Sequence, residues 1–184
     1  MSLKNKRSFT LMEILVALTL TGVIVLAVAS VDVTSRRFLK AAQDKSRIYD
    51  EVKIVTEHIA KSLQSGIGDI LNPGFSISAG GGTIEINQDS NYDGRFEPLL
   101  DTITRYTYRP PTYDIVYDPD ISVAGDEEVI SKQMIANCNF AAGAALNEVA
   151  LSITSRKDPT LAASSDNPET ILTSSIVLRE MSLN

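Results

Sequence analysis

One cysteine and one histidine stand in 184 residues, and that scarcity excludes several kinds of chemistry. Cys138 alone cannot form an intrachain disulfide, and one Cys with one His cannot furnish a Cys/His zinc centre. A catalytic thiol needs a basic, partly exposed setting with a histidine beside it. Cys138 sits instead in the apolar "MIANCNFAA", which reads as a strand, and His58 lies far upstream in a helical pattern. The cysteine is therefore read as a small buried hydrophobe and the histidine as a helix-face residue. No P-loop, dinucleotide fingerprint or serine-hydrolase elbow occurs. Carboxylates could still perform acid–base work, but nothing in the chain pairs them, so no enzymatic activity is expected.

Positive charge is also scarce. The formal charge is −6 overall, with +3 in the first eight residues (Lys4, Lys6, Arg7), so the remainder carries −9. A nucleic-acid partner would want a basic face, and none is expected here. With 43% hydrophobic and 22% charged residues the composition is that of a folded protein, and its acidity suits a soluble, self-repelling surface. Proline is missing from Met1 to Asn72, which leaves a long stretch free to be helical.

That stretch begins with "KNKRSFTLMEILVALTLTGVIVLAVAS". From Phe9 to Val31 the one charged residue is Glu13. Twenty-three helical residues rise about 34 Å, enough to cross a hydrocarbon core of about 30 Å. Lys4, Lys6 and Arg7 on one flank predict a cytoplasmic amino terminus, although Arg36, Arg37 and Lys40 follow the other flank. Generic rules allow two outcomes. One is a membrane anchor. The other is a secretory signal cleaved after Ala29, since "LAVAS" offers Ala27-x-Ala29. On that second reading the mature chain, starting at Ser30, is a secreted or periplasmic binding domain.

The residues "RSFTLMEILVAL" resemble the class III signal of type IV prepilins and type II secretion pseudopilins. That signal joins a short basic leader, a small residue, a phenylalanine, Thr-Leu, and a glutamate fifth after the cut. Phe9, Thr10, Leu11 and Glu13 fit these places, and Ser8 stands where the family usually has glycine. The resemblance implies that a prepilin peptidase cuts between Ser8 and Phe9 and methylates the new amino group of Phe9. The apolar helix stays, first as an inner-membrane anchor with the carboxy-terminal domain in the periplasm, later as the packing core of a pilus or pseudopilus. Partners implied are other pilin-like subunits, the peptidase and an inner-membrane assembly platform. Glu13 would neutralise the amine of Phe9, on its own chain or a neighbour, because buried charges persist when paired. Before assembly it can snorkel to the headgroups.

Beyond the membrane length, Phe38, Ala41, Ile48, Val52, Val55, Ile59 and Leu63 form a stripe at spacings of three and four, interrupted at Lys45. Gly66, Gly68 and "NPG" end the pattern. One helix is thus expected from about Phe9 to Ser65. Afterwards the texture is of strands: "FSISA" and "TIEIN" around "GGG", then "TITRYTYRP", "YDIVY", "EEVISKQMIA", "NEVALSITSRK" and "ETILTSSIVLREM". The expected fold is α+β, a pilin-like long amino-terminal helix packed on an antiparallel β-sheet. The expected parts are a leader (1–8), a transmembrane and assembly half of the helix (9–31), an amphipathic half (32–68) and a β-rich soluble domain (69–184). The order of strands, and a last strand closing on Arg179-Glu180, resembles minor pilins of the PilW type and J-type minor pseudopilins. The cysteine pair that frames a loop in many major pilins is missing, which favours a minor subunit of a tip or initiation complex.

"DSNYDGRFE" is written like the first half of a calcium loop, with Asp89, Asn91 and Asp93 alternating before Gly94. Arg95 could offer its carbonyl and Glu97 a carboxylate. The bidentate acid of a full EF-hand loop would fall at Leu100, with Asp101 one place beyond. A solvated hairpin turn has the same composition. No cofactor is required on this reading, and calcium is the one ligand the pattern suggests.

Overall fold

The computed structural model describes residues 10–69, 73–91, 93–97, 100–145, 147–178 and 180–182. Among the described residues one helix, α1 (Leu11–Gln64), is followed by ten strands, so the architecture is α+β and pilin-like, with the long helix packed against antiparallel sheets. The chain divides into two compact units, Met1–Ala42 and Gln43–Asn184.

In the first unit every described residue from Thr10 to Lys40 is exposed. Among the described residues its apolar side chains are left open.

In the second unit, α1 buries Ile48, Val52, Val55, Ile59 and Leu63, all on one face. The stripe seen in the sequence extends two positions further back than this burial: Ala41 is half-buried and Phe38 is 74% exposed. The face meets a core of Phe75, Ile84, Ile86, Tyr106, Ile115 and residues of the later strands. Strands β2 (Phe75–Ile77), β3 (Thr83–Gln88), β4 (Thr102–Arg109), β5 (Asp114–Asp118) and β6 (Glu128–Val129) form a five-stranded antiparallel meander in chain order. β7 (Ile135–Ala142), β8 (Glu148–Arg156) and β9 (Glu169–Val177) form a second antiparallel sheet. A two-stranded parallel pair, β1 (Ile67–Asp69) with β10 (Glu180–Ser182), returns the end of the chain to the end of the helix.

Backbone bonds stitch the sheets together. Phe140 N–H donates to Gly81 C=O at 2.7 Å, and Ile135 N–H to Tyr113 C=O at 3.1 Å. Gly81 has φ +68, and a Cβ there would lie 2.1 Å from Asn139 Oδ1, so only glycine fits this contact. The helix end is fixed by Gln88, whose Nε2 donates to Ser62 C=O at 2.9 Å while its Oε1 accepts from Ser65 Oγ at 2.8 Å. The segment "EEVISKQMIA" is two strands rather than one. Ile115 N–H donates to Ser131 Oγ in place of a ladder partner, and Gln133 takes φ 51, which turns the chain before β7.

Candidate functional site

The start of α1 is built from two side chains. Glu13 N–H donates to Thr10 Oγ1 at 3.3 Å, and Thr10 N–H donates to Glu13 Oε2 at 2.8 Å. The Thr10 hydroxyl also donates to Glu13 Oε2 at 3.0 Å, and Thr10 C=O accepts from Ile14 N–H at 3.2 Å. This reciprocal arrangement is a capping box, in which a threonine and a glutamate three residues on satisfy each other's backbone donors. Its signal, Thr-x-x-Glu before an apolar run, stands in "TLME" and was available from the sequence; the pilin-like motif accounted for both residues without it. Leu11 follows the cap and is exposed. Ser8 and Phe9, the two residues at the expected cut, lie outside the described residues.

Beyond Glu13 the helix has no charge until Asp32. Its hydroxyls turn inward on their own backbone: Thr19 to Val16 C=O, Thr21 to Ala17 C=O, Ser30 to Ala27 C=O and Thr34 to Ser30 C=O, each at 2.8 Å. Such back-bonding lets a hydroxyl sit in an apolar medium without an unmet donor. Glu13, Ile14, Ala17, Leu18 and Thr21 line a shallow groove, with Glu13, Ala17 and Thr21 one turn apart on one face. The helix is long and apolar enough to cross a membrane.

The expected calcium residues occupy a loop that uses its acids on itself. The Asp89 carboxylate accepts N–H bonds from Asp93 (3.3 Å) and Gly94 (2.9 Å). Asn91 Oδ1 accepts from Asp93 N–H at 2.9 Å, and Asp93 Oδ1 from Arg95 N–H at 2.8 Å. Asp101 closes the loop by accepting from Ser90 N–H (2.9 Å) and Glu97 N–H (2.6 Å). Among the described residues no three His, Cys, Asp or Glu side chains gather as a metal cluster.

Cys138 is buried in β7, and burial pushes its thiol up to about 12. His58 lies elsewhere, at an exposed position of α1 beside the buried Ile59, with its ring edge-on to Tyr106 and Tyr117. The fully buried Tyr106 hydroxyl is shared between Ser62 Oγ at 2.6 Å and His58 Nδ1 at 2.9 Å. This trio joins α1 to the centre of the five-stranded sheet.

No curated protein and no solved structure matches the chain. Residues 3–29 match the family model of the prokaryotic N-terminal methylation motif, which supports a type IV pilin-like, prepilin family and an amino-terminal helix consistent with membrane anchoring.

Proposed function

We propose that this chain is a minor pilin or minor pseudopilin, a non-enzymatic structural subunit. It is cut by a prepilin peptidase between Ser8 and Phe9 and methylated at Phe9. It then passes from the inner membrane into the tip or initiation complex of a type IV pilus or type II secretion pseudopilus. One observation carries this reading: the methylation motif at residues 3–29 opens a fully exposed apolar helix whose single embedded acid, Glu13, already bonds the backbone N–H of Thr10. The amine created by cleavage stands one residue before that N–H. A carboxylate so placed can meet the new cation on its own chain or turn to a neighbour's.

The outward face of the helix suits both stages. Lipid and neighbouring pilin-like helices are equally apolar, and close packing then decides association. Ala17 and Thr21 keep the surface beyond Glu13 low. The energy for leaving the membrane must come from a partner motor, because no nucleotide-binding motif is present.

The test is the mass and amino-terminal sequence of the chain recovered from bacterial membranes, with and without active prepilin peptidase. Methyl-phenylalanine at Phe9 that depends on the peptidase is the expected result. A soluble product beginning at Ser30 would overturn the proposal in favour of a secreted binding domain.

A further inference from the structure

Asp118, the last residue of β5, lies opposite Arg105 of β4, which lies opposite Glu85 of β3. These three form a row on one face of the sheet, and the adjacent row of Ile84, Tyr106 and Tyr117 faces the other way, toward His58. Asp118 is thus on the face away from the helix, yet it is only 7% exposed. The chain after β5 stays beside β4, with Ile121 N–H donating to Ile103 C=O at 3.0 Å. It turns back at Gly125 (φ 94) and brings Asp126 in just ahead of β6.

Asp118 Oδ1 and Asp126 Oδ1 are both shut off from solvent, and both lack a hydrogen-bond partner. Burial first, and the charge of Asp126 next, hold the Asp118 carboxyl above its usual range, against the opposing effects of Arg105 and of a backbone hydrogen bond at Asp120. Arg105, directly opposite, offsets this only in part, since its Nε and Nη2 both donate to Glu85 Oε1, at 3.0 and 2.8 Å. Asp120, in the same loop, is taken by the N–H and hydroxyl of Ser122. This loop and the one at residues 89–101 are opposites. There, carboxylates are taken up by backbone donors; here, one oxygen of Asp118 and one of Asp126, on the two limbs of the same loop, are each buried without a hydrogen bond. Leaving buried anionic oxygens unmatched is costly, and a cation is the economical remedy.

We propose that the β5–β6 loop binds a hard divalent cation, of which calcium is the type, between the carboxylates of Asp118 and Asp126. Backbone oxygens and water would complete a shell of the six to eight oxygens such ions take. Two carboxylates, rather than three or four, put the affinity in the weak range of about 10⁻⁴–10⁻³ M found in extracellular modules. The site belongs to the folded domain and does not depend on amino-terminal processing.

The experiment uses the purified full chain in detergent and terbium as a luminescent stand-in for calcium, excited through tyrosine. Tyr117 adjoins Asp118 in sequence and serves as the donor. Luminescence is expected to rise on binding and to be displaced by calcium at about 10⁻⁴–10⁻³ M, with a matching calcium-dependent rise in melting temperature. Asp118→Asn and Asp126→Asn should each weaken both effects at least about tenfold, since ligand charge sets affinity in such sites. Asp89→Asn should titrate like the native chain. Circular dichroism checks that each variant folds, and if one does not, the other carries the comparison. Native titration in both variants would overturn the proposal. So would a loss confined to Asp89→Asn, which would move the ion to the other loop. A chain indifferent to terbium and calcium would also overturn it, the two acids then sharing a proton.

Discussion

Asp114 is a buried acid at the start of β5, and its environment acts on it in two directions. Burial raises its pKa, while Arg109 and Thr112 lower it by hydrogen bonding, and the net result is a carboxyl held below the ordinary range. Arg109 Nε and Nη2 reach the two carboxylate oxygens at 2.9 and 3.1 Å, and Thr112 Oγ1 adds a third bond at 2.7 Å. A folded-state pKa below the unfolded one means that this acid stabilises the fold above its unfolded pKa. That contribution is lost as pH falls through the folded value. Arg109→Leu should therefore lower the melting temperature at neutral pH, with the gap to the native chain closing below about pH 4, where the unfolded carboxyl is protonated. A gap of constant size across that range would mean that Arg109 acts through packing of its stem and not through charge.

At the scale of elements, the helix face decides stability. Ile59 is 0% exposed and Ile54, on the same helix, is 62% exposed. Ile59→Ala should cost about 2–5 kcal/mol by urea unfolding. Ile54→Ala should stay within about 0.5 kcal/mol. Equal losses would mean that the helix does not pack on the sheets by the face described. This periodicity was readable beforehand because it is local: spacings of three and four reveal a helix face, and alternation in "TIEIN" and "TITRYTYRP" reveals strands. The capping box at Thr10 and Glu13 was equally local, in "TLME". What stayed hidden depends on distant partners. β1 is only "IGD", too short to carry a pattern, and exists because β10 returns to pair with it in parallel. The break between β6 and β7 follows from Ser131 answering Ile115 and Glu51 of the helix accepting Lys132 N–H at 2.6 Å, contacts no window of sequence contains. The orphaned oxygens of Asp118 and Asp126 are likewise a product of how the loop folds back, whereas the acids at 89–97 stood out only because their spacing follows a known motif.

For the molecule as a whole, the two units differ in where their burial comes from. The second buries its own core. Among the described residues the first exposes Leu11 to Val33 almost without interruption, far more apolar surface than a soluble monomer carries, which is consistent with membrane anchoring. In such surroundings Glu13 can act in two ways, as a cap for Thr10 or as the counter-charge for the amine of a processed Phe9. Two substitutions separate these on the proposed role. Glu13→Ala removes both functions; Glu13→Gln keeps an oxygen for the Thr10 N–H but carries no charge. Neither should prevent membrane insertion, since each makes the helix more apolar. Breaking one side of a buried ion pair costs about 3–5 kcal/mol. At about 1.4 kcal/mol per tenfold, incorporation into filaments or tip complexes, relative to the membrane pool, should fall at least about a hundredfold for both variants. If Glu13→Gln assembles like the native chain while Glu13→Ala does not, the cap and not the charge is what assembly requires. If both assemble normally, the buried ion pair has no part in it.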